Sequence, residues 1–170
     1  MSIDIDRSRV YKIHPCETQG FMNILEQLGV DCVSIDLVSS EKEAIIEEMV
    51  DMLDAAGKIP DRAAALTAIL EREKKMSTGM QNGIAIPHGK SDTIEDLVAG
   101  LAIHKAGVDF ASLDGQDARI FVMTLSPANR TGPHIQFLSE TSRLLGDEQT
   151  RAKLLAAGSR EEVLDILSSA

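Results

Sequence analysis

The sequence has few aromatic side chains, since its 170 residues include one Tyr, four Phe and no Trp. The hydrophobic core must therefore be aliphatic, and stacking on bases or sugar rings is disfavoured as a mode of recognition. The overall balance is nevertheless globular, because 44% of the residues are hydrophobic and 26% are charged. A chain of this length fits one domain of ordinary size.

Basic residues are also in deficit. Lys and Arg number 17 against 27 Asp and Glu, which gives a formal net charge of −10. A nucleic-acid binder needs a basic surface to neutralise phosphates, and an anionic membrane would repel this chain. The charge balance therefore argues against both kinds of partner and suits a basic protein partner.

Cysteines and long apolar runs are scarce. Cys16 and Cys32 form no CxxC motif, so we expect reduced thiols in a cytoplasmic protein. The apolar stretch 97–103 is far shorter than the roughly 20 residues that span a bilayer. Acidic residues near the N-terminus occupy the place of a signal peptide's apolar run. We therefore predict no secretion and no direct membrane insertion.

The hydrophobic pattern predicts a single α/β domain with a mixed central β-sheet flanked by helices on both faces. Residues 1–17 show no clear period and are predicted to be an N-terminal extension, and 18–170 form the domain. Ser40 with Glu43, and Ser159 with Glu162, have capping-box spacing. The predicted elements of the first half are a helix from Phe21 to Gly29, a strand over Val30–Val38, helices from Ser40 to Gly57 and from Pro60 to Lys75, and a strand over Ile84–Ile86. Those of the second half are strands over Leu97–His104 and Arg119–Leu125, a helix from Thr131 through Leu145 that continues helical over Ala152–Ala156, and a helix from Ser159 to Leu167.

His88 is the most informative of the four histidines. It follows the apolar run Ile84–Ile86 and Pro87, which suits a strand end because proline lacks the N–H donor. We therefore expect His88 just past the carboxyl end of a strand, where open α/β sheets place ligand sites. Gly83 and Gly89 flank it, and their N–H groups could receive an anion. The alternative is a loop histidine that only donates to a backbone carbonyl.

His134 is the second candidate. Pro133 precedes it at a favoured N-terminal helix position, so we place His134 in the first turn of a helix. It shares a face with Phe137 and Leu145, and the helix N-terminus favours anions and a neutral imidazole. The alternative is a histidine satisfied at the edge of the core.

The remaining chemistry-bearing residues give weaker signals. His14 and His104 are predicted to be structural or merely exposed. Two histidines without a third donor at ligand spacing predict no metal site, and no nucleotide- or cofactor-binding motif is present. Arg72 lies in a run of charges at a predicted helix end, where the helix dipole favours cations in any case.

The segment Gly83–Lys90, with the sequence GIAIPHGK, resembles the active-site signature of the enzyme IIA domains of the bacterial phosphoenolpyruvate-dependent sugar phosphotransferase system. The resemblance is to the fructose–mannitol type, which includes the nitrogen-regulatory member. It covers roughly Val33 to Leu167, and residues 1–17 have no counterpart. Three further segments match in order, namely Glu71–Gly79 with the RE…STG segment, Val108–Gly115 with the GVDF…LDG turn and His134–Leu145 with the H…LS…LL helix.

The resemblance implies a phosphotransferase that works as a phosphohistidine carrier without a cofactor. His88 would accept a phosphoryl group, on Nε2, from the phosphohistidine of the small carrier HPr and pass it to a cysteine of a IIB domain. His134 would donate a hydrogen bond to a phosphoryl oxygen, Arg72 would stabilise the charge, and the amide of Gly89 would add a donor. Contact with a membrane IIC permease would be made only through IIB.

Three functions follow from this resemblance. The segment VDF…SLDG favours the fructose-like branch of sugar uptake. The alternative is a nitrogen-branch regulatory protein that carries the same phosphohistidine and acts by phosphorylation-dependent protein binding. A third is a non-catalytic interaction domain, against which the joint presence of His88, His134 and Arg72 argues.

Overall fold

The computed structural model describes residues 27–170, which form five helices and five strands. The predicted extension over 1–17, and almost all of the helix predicted from Phe21, lie outside the described residues. Within 27–170 no helix has both the length and the apolar composition that crossing a membrane requires. The helices are α1 (Lys42–Ala55), α2 (Arg62–Lys75), α3 (Gly132–Gly146), α4 (Glu148–Ala156) and α5 (Arg160–Ser168), and the strands are β1 (Val33–Ser34), β2 (Ile84–Ala85), β3 (His88–Ser91), β4 (Val98–Val108) and β5 (Ala118–Pro127).

The sheet is mixed and is centred on the long antiparallel pair β4 and β5, in which Leu101 lies opposite Val122. β1 pairs with β4 in parallel on one side. On the other side β2 and β3 both pair in parallel with β5. The predicted mixed sheet is confirmed.

Helices cover both faces of this sheet. Side chains alternate along the central strands, so that Phe121 faces one layer and Val122 the other. The first layer includes Ile45 of α1 and Ile69 of α2, and the second is formed by α3, α4 and α5. Both layers are mainly aliphatic, as the composition requires. The predicted arrangement of helices on both faces is therefore confirmed.

The structure differs from the predicted elements at the start of the domain. The strand expected over 30–38 is reduced to β1, because residues 30–32 form a 3-10 turn and Leu37 makes one isolated bond to the carbonyl of Ile103 at 3.0 Å. The capping box at Ser40 is wrong, since α1 is capped by Glu41 without a side-chain bond. Instead, the Glu48 carboxylate accepts from the N–H of Ser39 at 3.0 Å and holds the approach to the helix.

The other helix starts follow capping chemistry more closely. Pro60 lies before the first turn of α2, because Asp61 is the N-cap and its carboxylate accepts from the N–H of Ala64 at 3.0 Å. The capping box at α5 is confirmed, with Ser159 Oγ accepting from the N–H of Glu162 at 3.1 Å. Such caps satisfy N–H groups that have no partner within the helix.

Candidate functional site

His88 lies on an edge strand that a proline interrupts. β2 and β3 run along β5 in the same register, with Ile84 opposite Ile120 and His88 opposite Thr124. Pro87 accepts a bond from the N–H of Thr124 at 3.0 Å but has no N–H of its own to return to β5. His88 follows β2, as predicted, but the expectation that strand pairing ends before it is wrong, since pairing resumes at His88.

The hydrogen bond of His88 fixes its tautomer. Its Nδ1 lies 2.8 Å from the carbonyl oxygen of Ile86, and a carbonyl only accepts, so Nδ1 carries the proton. Nε2 then holds the lone pair. Burial is the main cause that lowers the pKa of His88 below its usual range; the bond to Ile86 opposes this, and the charge of Arg72 adds to it. The imidazole is therefore neutral and nucleophilic near pH 7.

His134 enters the site from the first turn of α3, which begins directly after β5. Its ring centroid lies 5.3 Å from that of His88, with the two ring planes tilted by 54°. Its Nδ1 lies 2.9 Å from the hydroxyl oxygen of Ser126, near the carboxyl end of β5. Burial, together with His88 and the charges of Lys90 and Arg72, lowers the pKa of His134 to about 4. His134 is thus neutral near pH 7 as well.

The two histidines open on a cationic cleft. Arg72, Lys75 and Lys90 supply three positive side chains there, although the chain as a whole is acidic. Such local positive charge attracts an anion and raises its concentration in the cleft. The cleft has a volume of about 340 Å³ and is lined by Ala68, Glu71, Arg72, Lys75, His88, Gly89, Lys90 and His134. The four residues predicted for the site, His88, His134, Arg72 and Gly89, therefore lie together.

Arg72 is held at the last turn of α2. One of its guanidinium nitrogens donates to the carbonyl of Met76, the residue that follows the helix, at 3.0 Å. The side chain is half-buried and borders the cleft. A guanidinium has five N–H donors, so this bond leaves others for an anion.

A buried ion pair supports this end of α2. Glu73 is buried and pairs with the Lys42 ammonium at 2.6 Å. Glu73 also accepts from the N–H of Thr78 at 2.9 Å and from the Thr78 hydroxyl. Lys42 in turn donates to the carbonyl of Phe110 at 3.2 Å. These bonds tie α1, the segment after α2 and the loop after β4 to the turn that carries Arg72, and they give the Arg-Glu…Ser-Thr-Gly spacing a structural reason.

Gly89 has a packing role that the sequence analysis did not name. A side-chain Cβ at this position would lie 3.0 Å from the backbone carbon of Ala68, so β3 and α2 approach each other through the glycine. Thr124 donates its N–H to Pro87, and a parallel ladder then turns the N–H of Gly89 towards the carbonyl of Thr124. The amide expected to meet a phosphoryl oxygen is thus directed into the sheet.

Two residues of the site were missed at the sequence level. Ser126 lies two residues from Thr124 on the same face of a buried strand, and that pair of hydroxyls near the strand's carboxyl end was the available signal. In the sequence, Lys75 stands out only as part of a run of charges at a predicted helix end. The place of both residues in the site depends on how β5, α2 and α3 come together at the cleft.

The remaining histidine and cysteine of the described chain lie elsewhere. His104 is buried and its Nδ1 accepts from the N–H of Gly107 at 2.9 Å. Cys32 is a free, buried thiol, and its burial raises its pKa. Residues 27–170 contain no group of three or more His, Cys, Asp or Glu side chains placed to hold a metal ion. His14 and Cys16 lie outside the described residues.

Comparisons with known proteins agree with this fold. The family profile described as "Phosphoenolpyruvate-dependent sugar phosphotransferase system, EIIA 2" matches residues 26–170. The chain is 41% identical over 147 residues to a fructose-specific EIIABC component of Bacillus subtilis, covering 86% of this chain and 23% of that protein. It is 39% identical over 139 residues to a fructose-specific EIIA component of Haloferax volcanii, covering 82% of this chain and 90% of that one.

A solved structure shows the same fold. The nitrogen regulatory protein IIA-Ntr of Neisseria meningitidis superimposes with a TM-score of 0.79 at 28% identity, covering 85% of this chain and 98% of that one. The chain spans less than a quarter of the Bacillus relative and nearly all of the Haloferax one. The family match covers every described residue, including the whole cleft. The chain therefore belongs to the EIIA 2 family of the phosphoenolpyruvate-dependent sugar phosphotransferase system, a family of phosphoryl carriers.

Proposed function

We propose that this protein is a phosphohistidine carrier of the fructose-like branch. His88 accepts a phosphoryl group from phospho-HPr and passes it to a cysteine of a IIB domain. The observation that carries the proposal is the bond from His88 Nδ1 to the carbonyl of Ile86, which leaves the Nε2 lone pair free beside a cationic cleft. A neutral imidazole placed in this way is a nucleophile without further activation.

The acceptor step conserves atoms and electrons. The Nε2 lone pair of His88 forms a new N–P bond while the N–P bond of the donor histidine breaks. The bonding pair returns to the donor imidazole, and no group is oxidised or reduced. The proton on Nδ1 stays between His88 and Ile86 throughout. Phosphoryl transfer of this kind depends mainly on alignment and on stabilising charge over the equatorial oxygens.

Charge stabilisation falls to Arg72 and His134. Arg72 can keep its bond to Met76 and offer its remaining donors to the phosphoryl oxygens. His134 can donate from Nε2, because its Nδ1 is engaged with Ser126. We assign Gly89 to packing instead of phosphoryl binding, since its N–H is directed towards the carbonyl of Thr124. Lys75 and Lys90 raise the potential that holds the anion.

The onward step reverses the first at the same nitrogen. The thiolate of a IIB cysteine forms an S–P bond, the N–P bond breaks, and its electron pair returns to Nε2 of His88. The fructose-specific names of the Bacillus and Haloferax relatives support this branch. Residues 1–17, proposed to be an extension, lie outside both the described and the matched residues.

The test is the intact mass of the protein after incubation with phosphoenolpyruvate, enzyme I and HPr. We expect a gain of one phosphate that brief acid treatment removes, and no gain in His88→Ala. His104→Asn is the matched control, because an Asn oxygen can replace the Nδ1 acceptor that Gly107 uses. An unmodified wild type in a mixture where HPr from the same organism is itself phosphorylated would refute the proposal.

The nitrogen-branch regulatory role is the second candidate, favoured by the likeness to the Neisseria structure named IIA-Ntr. Both roles use the same phosphohistidine, so the acceptor separates them. Phosphorylated protein mixed with vesicles that contain a fructose-specific IIB and IIC should form sugar phosphate in the first case. In the second case the phosphate stays on the protein, and binding to a target protein changes with phosphorylation.

A further inference from the structure

The hydroxyl of Ser126 has a role that neither the motif nor the family match assigns. We propose that Ser126 is a positioning residue whose hydroxyl donates to Nδ1 of His134 and holds that imidazole as the Nε2–H tautomer. The catalytic consequence rests on the proposed function, because the Nε2–H is the donor that would meet the phosphoryl oxygen. The tautomer itself can be measured without any phosphoryl transfer.

The contact is built from rigid elements. Ser126 is the last residue but one of β5 and is paired in the sheet with Lys90 of β3. His134 lies in the first turn of α3. The Oγ to Nδ1 distance is 2.9 Å, Ser126 is fully buried and His134 is buried, so bulk water does not compete for the bond. A bond between two packed elements orients the ring as well as its protons.

The direction of the bond follows from what else the hydroxyl can reach. If His134 donated from Nδ1, the Ser126 hydroxyl proton would need a second acceptor. None of the hydrogen bonds found within residues 27–170 gives Ser126 Oγ another partner. A buried O–H without an acceptor costs free energy, whereas an oxygen that donates and leaves lone pairs unused costs less. Ser126 is therefore the donor and Nδ1 the acceptor.

This tautomer suits the proposed chemistry, and the opposite one would oppose it. With its proton on Nε2, His134 presents a donor to the negative oxygens that develop in the transition state. With its proton on Nδ1, it would present a lone pair to them. Because the pKa of His134 is about 4, its ring carries only one proton near pH 7 and cannot donate from both nitrogens. The partner of Nδ1 therefore decides which group faces the anion.

The first experiment reads the tautomer directly by long-range ¹H–¹⁵N NMR of the histidine rings. We expect wild-type His134 to carry its proton on Nε2 and His88 to carry its proton on Nδ1. In Ser126→Ala the Nε2–H population of His134 should fall, because the bond that selects it is gone. A wild-type His134 with its proton on Nδ1 would overturn the inference, whatever the phosphorylation assays show.

The second experiment measures single-turnover transfer from phospho-HPr to His88. Loss of one neutral hydrogen bond predicts a roughly fivefold slower transfer in Ser126→Ala. Ser126→Cys retains a weak donor of similar size and should lie between the two rates. Thr124→Val is the matched control, since it removes a buried hydroxyl of the same strand that donates to the carbonyl of Val98, at 3.1 Å, and not to His134. It should leave the tautomer and the rate unchanged.

A double-mutant comparison separates positioning from general structural damage. In the His134→Ala background, Ser126→Ala should have no further effect on the transfer rate, because the group through which it acts is absent. An equal fivefold loss in both backgrounds would overturn the inference. Wild-type protein that accepts phosphate at the same rate as Ser126→Ala would also overturn it, whereas wild-type protein that accepts none from competent HPr refutes the proposed function instead.

Discussion

The two histidines that face each other across the cleft differ in the group that each Nδ1 contacts. His88 Nδ1 meets the carbonyl of Ile86, which can only accept, and so Nε2 is left with a lone pair. His134 Nδ1 meets the hydroxyl of Ser126, which can donate. Two identical side chains with centroids 5.3 Å apart are thereby suited to different tasks, one as nucleophile and the other as donor. The partner of the remote nitrogen matters as much as the imidazole itself.

The supports of the two histidines differ as well. His88 lies on an edge strand where Pro87 breaks one ladder bond, and it is only half-buried. His134 lies on a helix whose first turn follows β5, and it is buried. In the proposed function, the more exposed ring is the one that meets a partner protein's phosphoryl group. The more enclosed ring only has to keep its orientation, which a buried bond to Ser126 provides.

The largest expected effect tests whether the two rings can exchange roles. His88→Ala should abolish phosphorylation completely, and His134 should not take the phosphate in its place, because its Nε2 carries a proton and no lone pair. Mass spectrometry of the phosphorylation mixture, with peptide mapping, measures this. Phosphate found on His134 in the His88→Ala protein would contradict the assigned difference.

The next effect concerns the donor side of the cleft. His134→Ala and Arg72→Ala should each slow transfer to His88 by about 10²-fold or more, if each supplies a main contact to the transition-state oxygens. The phosphate should still appear on His88 at long times. Arg72→Lys keeps the charge but loses the planar fork of donors, and rapid-quench rates should place it between Arg72→Ala and the wild type. Transfer at the wild-type rate in His134→Ala would show that His134 contributes no donor to the transition state.

The ion pair behind Arg72 gives a stability prediction. Lys42→Met leaves the buried Glu73 carboxylate without its counter-charge, which should lower the free energy of unfolding by about 3 kcal/mol or more. The control is Arg143→Met, which breaks an exposed pair with Glu140 and should lower the free energy of unfolding far less, because solvent screens that pair. Urea unfolding curves of both variants measure these losses. Equal losses in free energy would mean that the Lys42–Glu73 pair stabilises the fold no more than an exposed pair does.

The last prediction is a pH dependence that belongs to the buried ring. Because the pKa of His134 falls from 6.5 to about 4 on folding, the unfolded chain binds the proton more tightly. The titration of His134 therefore does not affect the free energy of unfolding above pH 6.5, and it lowers that free energy by about 1.4 kcal/mol per pH unit as the pH falls from 6.5 towards 4. Unfolding measured across this range should show a shallower decline in His134→Gln. Parallel curves for the two proteins would contradict the buried, neutral state of His134.

Much of the fold could be predicted because its strongest signals are local. β4 and β5 are long apolar runs, and α3 and α5 combine apolar spacing with a proline or a capping serine at their starts. The break between α3 and α4 at Asp147, whose carboxylate caps α4, was not predicted. β1 could not be predicted at its true length, because two ladder bonds and a 3-10 turn leave no trace in the alternation of residues. Ser40 shows that capping spacing alone does not start a helix when another carboxylate holds the segment ahead of it.

The main residues of the candidate site could be predicted, whereas Ser126, Lys75 and the hydrogen bonds of the site could not. The proline–histidine pair between glycines pointed to His88, and the helix start pointed to His134, whereas Arg72 came only from the family resemblance. Ser126 could not be recognised, because a buried serine at a strand end is common and its partner is set by how α3 packs on β5. Tautomers depend on such partners and so are invisible in a sequence.

The most direct test of the proposed mechanism is to locate the phosphate on the protein after incubation with phosphoenolpyruvate, enzyme I and HPr. ¹⁵N-labelled protein shows by NMR which imidazole nitrogen bonds to phosphorus. We predict a single acid-labile phosphate on Nε2 of His88, with Nδ1 still protonated and bonded to the carbonyl of Ile86. A phosphate on Nδ1 of His88, or on any other residue, would contradict the tautomer assignment on which the whole mechanism depends.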